Sequence, residues 1–255
     1  MKLELSHWFL IFARAGALLA VFPLFSAQDV PVRLRLALAA LMAFLATPIL
    51  PVFPTNTLSF WSLTRLVFTE VSVGLLLGFV CRFIFYTIDF AGGIVGTEVG
   101  LMLSSAFNPL GANATPVPGI ILYWLALMLL LALDLHHWII AAFQRSYLIL
   151  PIGAGHLSQA LVLEVIRRSS EVFRIAVEMT APVIAVSFVI TLVFSVLSRA
   201  VPQMNVFTES FPVRTLAGLA VFGLTFHLMA QHIENYLRQL PEDLVRISQL
   251  LGAAT

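Results

Sequence analysis

The sequence predicts an all-α protein that crosses a membrane several times. Of its 255 residues, 60% are hydrophobic and only 11% are charged, and the mean hydropathy is +0.99. Soluble domains carry roughly 25% charged residues. A chain of this length cannot hide so much apolar surface in a water-soluble fold. The net charge of +1 excludes a basic face for nucleic acid, and a lone cysteine excludes an internal disulfide.

About six apolar runs are long enough to be considered as membrane helices, since roughly 20 apolar residues span the hydrocarbon core. The first is interpreted as a retained helix rather than a signal peptide, because Arg14 interrupts its apolar stretch. The excess of Lys and Arg in alternate loops favours both termini in the cytoplasm. The predicted spans are Trp8–Ala27, Leu36–Phe53, Leu66–Ile88, Val117–Leu133, Met179–Leu197 and Pro212–Ala230.

The stretch Phe90–Phe107 is ambiguous, because it is apolar apart from Glu98. Its glycines Gly92, Gly96 and Gly100 fall four residues apart, so on a helix they line one face and permit close contact with another helix. The segment 107–119 that follows is rich in proline, glycine and asparagine and cannot continue a helix. It is either a surface connector or an irregular loop buried in protein.

Two polar segments are expected outside the lipid. Residues 153–174 combine charges with apolar residues at helical spacing, which indicates an amphipathic helix. In the tail 231–255, Pro241 followed by two acids predicts the start of a short helix.

An enzyme is poorly supported. Asp134, His136 and His137 form the one cluster that resembles a metal or acid–base site, but adjacent histidines point about 100° apart on a helix. A turn at the end of the preceding span is the simpler interpretation. No nucleophile–base pair and no phosphate-binding loop occur. We therefore expect no catalytic residues, no metal and no cofactor.

Ionisable and amide side chains inside or between apolar runs are the remaining candidates for function. Arg14 and Glu98 lie deep in their runs, so buried pairing is expected for both. Arg199, Gln203 and Asn205 lie between two apolar runs and require polar partners. That segment is either a solvated turn or a contact with other protein.

Taken together, these residues resemble the FliR family of flagellar export-gate proteins and its injectisome counterparts in type III secretion. The resemblance covers the chain essentially end to end. Its most specific part is the segment Arg199-Ala-Val-Pro-Gln-Met-Asn-Val-Phe207, which is similar to the family signature Arg-x-x-Pro-Gln-x-Asn-Val-Phe. The other matching segments contain Arg14, Gly16 and Pro23, then Gly92–Gly100, Phe107–Pro109, His136–His137, Pro151–Gly153 and Phe211–Pro212.

The resemblance implies one export-gate domain over residues 1–255, built of helical hairpins, in the bacterial inner membrane at the flagellar basal body. It implies a non-enzymatic subunit that assembles with FliP-like and FliQ-like proteins, contacts an FlhB-like switch protein and lets unfolded proteins pass. The loop after the glycine stretch would plug the closed pore. The residues so implied are Phe107, Asn108, Pro109, Gly111 and Asn113 for the plug, and Arg14, Glu98, Arg199, Pro202, Gln203, Asn205 and Phe207 for subunit contact or buried polar pairing.

Alternatives remain at this point. A small-molecule or ion transporter would use Glu98 and Arg14 as a coupling pair near the bilayer midplane. An intramembrane hydrolase would need a catalytic pair that the sequence does not show. Glu209-Ser210-Phe211 and Leu101–Ser105 depart from many relatives. They leave the choice of flagellar or injectisome branch open, with the flagellar branch preferred.

Overall fold

The computed structural model describes residues 5–26, 30–50, 59–102, 116–156, 158–201, 203 and 205–252. Within these ranges the chain is helical and contains no strand, as the apolar runs predicted. The helices are α1 (Leu5–Val21), α2 (Pro23–Ser26), α3 (Val32–Ala46), α4 (Phe60–Glu98), α5 (Val117–Ala132), α6 (Leu135–Ile149), α7 (Gln159–Ala200) and α8 (Val206–Gly252).

Among the described residues, three helices are long and apolar enough to cross a membrane: α4, α7 and α8. Helices α5 and α6 would make a fourth span, broken by a bend of 71°. The expected number of about six spans is therefore not confirmed. Helix α1, with 17 residues, reaches about 26 Å and α3, with 15 residues, about 23 Å, both short of the 30 Å hydrocarbon core.

Helix α4 joins two segments that the sequence analysis kept apart. Its 39 residues contain the predicted span Leu66–Ile88 and the first half of the ambiguous stretch Phe90–Phe107, up to Glu98. Nothing between those segments breaks a helix, because Asp89 and Phe90 are compatible with helical backbone. The helix ends at Glu98, before the segment rich in proline and glycine.

Helices α7 and α8 are likewise longer than expected. The polar segment 153–174, from Gln159 onward, and the span Met179–Leu197 form one helix of 42 residues. The prediction that Pro241 opens a short helix was wrong, because Pro241 lies inside α8, a helix of 47 residues. Buried Leu240 and Leu244 pack there, so tertiary contacts outweigh the local start signal. Both helices exceed 60 Å in length, at about 1.5 Å per residue.

Two breaks interrupt the remaining apolar runs. The first predicted span stops at Val21, and Pro23 begins the short α2. The run Val117–Leu133 ends in a turn at Asp134, whose φ of 54° lies in the left-handed region. Aspartate tolerates that conformation better than most residues. The turn expected near His136 and His137 is therefore present, and both histidines begin α6.

The helices divide into two compact units. Unit 1 contains residues 1–83, 131–169 and 237–255, and so holds α1 to α3, the first part of α4, α6, the beginning of α7 and the end of α8. Unit 2 contains residues 84–130 and 170–236, with the rest of α4, most of α5, the remainder of α7 and the first part of α8. Helices α7 and α8 pair within unit 1 through Arg168 and Asp243, and within unit 2 through Thr191 and Arg214.

Candidate functional site

A buried ion pair lies at the centre of unit 1. Arg14 of α1 and Glu70 of α4 are both 0% exposed. Arg14 Nε donates to Glu70 Oε2 at 2.7 Å, and Nη2 donates to Oε1 at 3.0 Å. This is the bidentate geometry in which an arginine–carboxylate pair is strongest. The backbone N–H of Gly153 donates to the same Oε1 at 3.0 Å.

The other donors of Arg14 are also satisfied. Nη1 donates to Ser146 Oγ and to the carbonyl oxygen of Leu150, both at 3.3 Å, and Nη2 donates to that carbonyl at 3.3 Å. The guanidinium carbon lies 3.9 Å from the centroid of the Tyr147 ring, a cation–π contact. All five N–H donors of a guanidinium therefore have acceptors, and one side chain joins α1, α4 and α6.

Two glycines bring α1 and α4 close enough for that pairing. A Cβ at Gly74 would overlap the carbonyl oxygen of Arg14, and a Cβ at Gly78 would lie 2.7 Å from the carbonyl oxygen of Leu18. Gly74 and Gly78 are four residues apart, the spacing of small residues at helix–helix contacts in membranes. They carry the signal that could have predicted this packing, although the sequence analysis did not use it.

The Arg14–Glu98 pair of the transporter alternative is wrong. Arg14 belongs to unit 1 and uses all its donors on Glu70, Ser146 and Leu150. Glu98 belongs to unit 2, is half-buried and lines an open cavity of about 340 Å³. A coupling pair of these two residues has no structural support.

The glycine stretch of α4 lies against the beginning of α5 and against Pro116, which directly precedes that helix. A Cβ at Gly92 would overlap the backbone of Gly119, and a Cβ at Gly96 would lie 2.6 Å from the Pro116 side chain. Gly100 differs, because it follows the end of α4 with a φ of +85° and faces Phe211. It ends the helix rather than extending the glycine face, since the left-handed region suits glycine at a helix terminus.

The last turn of α4 is held by α7 and α8 within unit 2. Ser187 Oγ donates to the carbonyl oxygen of Glu98 at 3.4 Å, and Thr215 Oγ1 donates to that of Val99 at 2.8 Å. Gly218 allows α8 to approach Val99, whose side chain lies 2.6 Å from the position of an added Cβ. These contacts satisfy carbonyl groups that a helix end leaves open.

The two described ends of the loop rich in proline and glycine are thus fixed by packing. Residues up to Met102 follow the anchored end of α4, and Pro116 packs against Gly96 of that helix. We call these contacts, from Gly92–Gly119 to Val99–Thr215, the loop root. The plug residues predicted between them, Phe107, Asn108, Pro109, Gly111 and Asn113, lie outside the described residues.

The signature segment forms the turn between α7 and α8. Arg199, Gln203 and Asn205 are exposed on the single chain. Asn205 directly precedes α8, where asparagine is a favoured helix cap, and its carbonyl oxygen accepts from the Glu209 N–H at 3.1 Å. Pro202 lies outside the described residues, as does the side chain of Phe207, whose backbone belongs to the first turn of α8.

A second charged network in unit 1 was not recognised in the sequence. Arg168 Nη1 donates to Asp243 Oδ2 at 2.9 Å and Nη2 donates to Oδ1, while its Nε donates to Glu164 Oε1 at 3.2 Å. Glu164 also accepts from Arg167 at 2.8 Å. The sequence predicted that these charges lie on the polar face of an amphipathic helix, whereas some of them connect the beginning of α7 to the end of α8.

The histidine cluster is closer together than adjacent helix positions suggest. The rings of His136 and His137 have centroids 4.0 Å apart, and Asp134 lies 3.6 Å from His137 Nδ1. One ligand atom from each of the three lies within 4.8 Å of the others. Asp134 and His137 are exposed. An exposed contact between the Asp134 carboxylate and the His137 ring accounts for this proximity.

These features define a class: an all-α, multi-pass membrane protein with a proline- and glycine-rich loop rooted between packed helices. The chain belongs to the family described as bacterial export proteins, family 1, which residues 5–240 match. It is similar to the flagellar biosynthetic protein FliR of Escherichia coli K12, at 29% identity over 93% of this chain and 90% of the relative. The FliR of Caulobacter vibrioides is 30% identical over 91% of this chain and 92% of the relative. The FliR of Bacillus subtilis is 23% identical over 96% of this chain and 95% of the relative.

Proposed function

We propose that this protein is a non-enzymatic subunit of the flagellar type III export gate in the bacterial inner membrane, through which unfolded flagellar proteins pass. Membership of an export-protein family across residues 5–240 carries this proposal. The relatives described above are named as flagellar biosynthetic proteins, and the sequence match covers at least 90% of each of them. Its partners would be FliP-like and FliQ-like subunits and an FlhB-like switch protein.

The loop root supports a plug between residues 107 and 119. Gly92 lies against the backbone of Gly119, Gly96 lies against the side chain of Pro116, and the Val99 carbonyl oxygen accepts from Thr215. These contacts hold the two ends of the loop. A loop with fixed ends can change its own conformation without moving the helices that carry it. In the closed state, Phe107 would pack against partner side chains and exclude water and ions.

Conductance tests the plug. Replacing Phe107 through Ala114 with a Gly/Ser linker of equal length should leave the complex assembled and raise ion leakage through it. The matched control replaces Gly93 with Ala on α4, where an added Cβ meets nothing within 4 Å. An assembled linker variant with unchanged membrane conductance would count against a plug.

The signature turn is proposed as a subunit contact. Arg199 and Gln203 are exposed between two apolar helices, and such groups need polar partners wherever lipid or protein covers them. Neighbouring gate subunits would supply these partners. Asn205 has a local role as well, since its position favours capping of α8.

Co-purification tests assembly. The tagged chain, expressed with two smaller membrane proteins of the gate, should purify as a complex containing several copies of each. Arg199→Ala should reduce the amount of complex, whereas Arg33→Ala, at an exposed arginine on α3, should not. For Asn205, Leu should impair assembly more than Ser, because serine keeps the cap. Normal assembly of Arg199→Ala with lost transport would overturn the contact role.

A further inference from the structure

Three side chains that can bind a metal converge at the start of α6. They are the Asp134 carboxylate and the imidazole rings of His136 and His137, and one ligand atom from each lies within 4.8 Å of the other two. In the described part of the chain, no other three His, Cys, Asp or Glu side chains converge in this way. All three residues belong to unit 1.

The backbone of the turn before α6 brings these side chains together. Asp134 has a φ of 54° and directly precedes the helix, whose first turn contains both histidines. Adjacent histidines point about 100° apart on a regular helix, which was the reason to expect no metal from the sequence. Here the ring centroids of His136 and His137 lie only 4.0 Å apart. The geometric argument against a shared ion therefore does not hold for this turn.

The separations between the ligand atoms suit a small divalent ion. Nitrogen and oxygen ligands lie about 2.0–2.2 Å from Zn²⁺ in a tetrahedral site, so two such ligands are about 3.4 Å from each other. Asp134 Oδ1 and His137 Nδ1 are 3.6 Å apart, close to that value. Asp134 and His137 are both exposed, so rotation of their side chains can close the remaining gap to His136.

The three groups are not committed to other partners. Among the described residues, the Asp134 carboxylate pairs with no Arg or Lys, and its one ionic contact is the His137 ring. His136 Nδ1 is buried and finds no hydrogen-bond partner in the same part of the chain. A buried nitrogen without a partner is costly, and either nitrogen of a neutral imidazole can bind a metal.

The ligand types select the class of ion. Imidazole suits first-row transition metals such as Zn²⁺, whereas Mg²⁺ and Ca²⁺ prefer oxygen ligands alone. Three protein ligands leave a fourth tetrahedral position for water. We propose that Asp134, His136 and His137 bind one divalent transition-metal ion, which ties the first turn of α6 to the residue before it. This metal site does not depend on the function proposed above.

Isothermal titration calorimetry with ZnCl₂ tests the site on the full-length chain in detergent micelles, purified through an affinity tag that contains no histidine. The parent chain should bind one Zn²⁺ at submillimolar concentration. Asp134→Asn and His137→Gln should each weaken binding at least about tenfold, because even groups that only support a metal ligand contribute that much. Asparagine tolerates the left-handed conformation as aspartate does, so Asp134→Asn keeps the turn.

Two further variants separate loss of the ligand from loss of the fold. Asp134→Gly should lose binding to the same extent with unchanged helix content by circular dichroism, because glycine adopts the left-handed conformation freely and offers no ligand atom. His227→Gln removes an exposed histidine of α8 and should leave Zn²⁺ binding unchanged. Zn²⁺ should raise the melting temperature of the parent chain and not that of Asp134→Gly, since a ligand stabilises only the protein that binds it.

Several outcomes would overturn the proposal. The parent chain would bind no Zn²⁺ at millimolar concentration, or the Asp134 and His137 variants would keep the affinity of the parent chain. An equal loss of affinity in His227→Gln would place the ion elsewhere. Displacement of Zn²⁺ by an equal concentration of Mg²⁺ would show an unselective contact with the exposed carboxylate instead of a site built with imidazole.

Discussion

Removal of one partner of the Arg14–Glu70 pair should destabilise the protein far more than its single ion pair suggests. In Arg14→Ala, the Glu70 carboxylate stays at 0% exposure with the Gly153 N–H as its remaining partner among the described residues. The hydroxyl of Ser146 and the carbonyl of Leu150 lose a charged donor at the same time. An uncompensated buried charge is the main consequence.

The expected magnitude follows from the burial. Breaking a fully buried pair by removing one partner costs about 3–5 kcal/mol, a large share of a typical free energy of unfolding of about 5–15 kcal/mol. Because 1.4 kcal/mol corresponds to a factor of ten, the equilibrium constant for folding should fall by about two to three and a half orders of magnitude. Glu70→Ala should have an effect of similar size, since it leaves the guanidinium without its carboxylate.

A double-mutant cycle measures the coupling between the two side chains. Arg14→Ala, Glu70→Ala and the double variant are compared with the parent protein in detergent micelles, with unfolding followed by the fluorescence of its four tryptophans. The double variant should be less destabilised than the sum of the single variants by about 2–3 kcal/mol. Arg14→Lys should fall between parent and Arg14→Ala, because lysine keeps the charge and loses the bidentate geometry.

Two results would refute this reasoning. Additive effects of the two substitutions would show that the residues do not act as a pair. A loss below about 1 kcal/mol in Arg14→Ala would show that the pair behaves like an exposed one. Arg65→Ala, at an exposed position on the same helix as Glu70, is the control and should change the free energy of unfolding by less than about 0.5 kcal/mol.

Two further predictions concern the other contacts. Gly92→Ala should destabilise unit 2 by at least about 1–3 kcal/mol, because the added Cβ would overlap the α5 backbone. Gly93→Ala, whose Cβ would meet nothing within 4 Å, should be neutral or stabilising by up to about 1 kcal/mol. Equal shifts of the melting temperature in the two variants would contradict the close contact. Arg168→Ala should lower the melting temperature by several degrees, because it removes the guanidinium that binds both carboxylate oxygens of the buried Asp243. Arg174→Ala, from an exposed pair within α7, should not, and equal melting temperatures of the two variants would reject the network.

The sequence predicted the helical class, but the expected number of about six spans is not confirmed, and the prediction failed where helices continue through local signals. Pro241 followed by acids is a valid start signal, but buried Leu240 and Leu244 keep α8 continuous. Arg14 was recognised as needing a partner. Whether Arg14 pairs with Glu70 or with Glu98 depends on which residues of neighbouring helices are in contact, and hydropathy contains no such information. The small-residue spacing of Gly74 and Gly78 was the one local clue to that level.

Arg214 indicates that the α7–α8 pair lacks a hydrogen-bond partner that another subunit could supply. Its guanidinium donates to Thr191 Oγ1 at 2.6 Å, but its Nε is buried and finds no acceptor among the described residues. A buried unsatisfied donor costs about 1–3 kcal/mol. In the most apolar window of α7 and of α8 only 17% of the residues are buried, against 61% for α4.

An acceptor from a neighbouring subunit would satisfy Arg214 and cover this surface at the same time. Arg214→Met keeps the length of the side chain and removes the unsatisfied donor, so the isolated chain should be as stable as the parent or more stable. The complex with the smaller gate subunits should nevertheless form in lower yield, measured as the ratio of partner to tagged chain after purification. Equal yield of complex, with the isolated chain unchanged in stability, would assign Arg214 to the Thr191 contact alone.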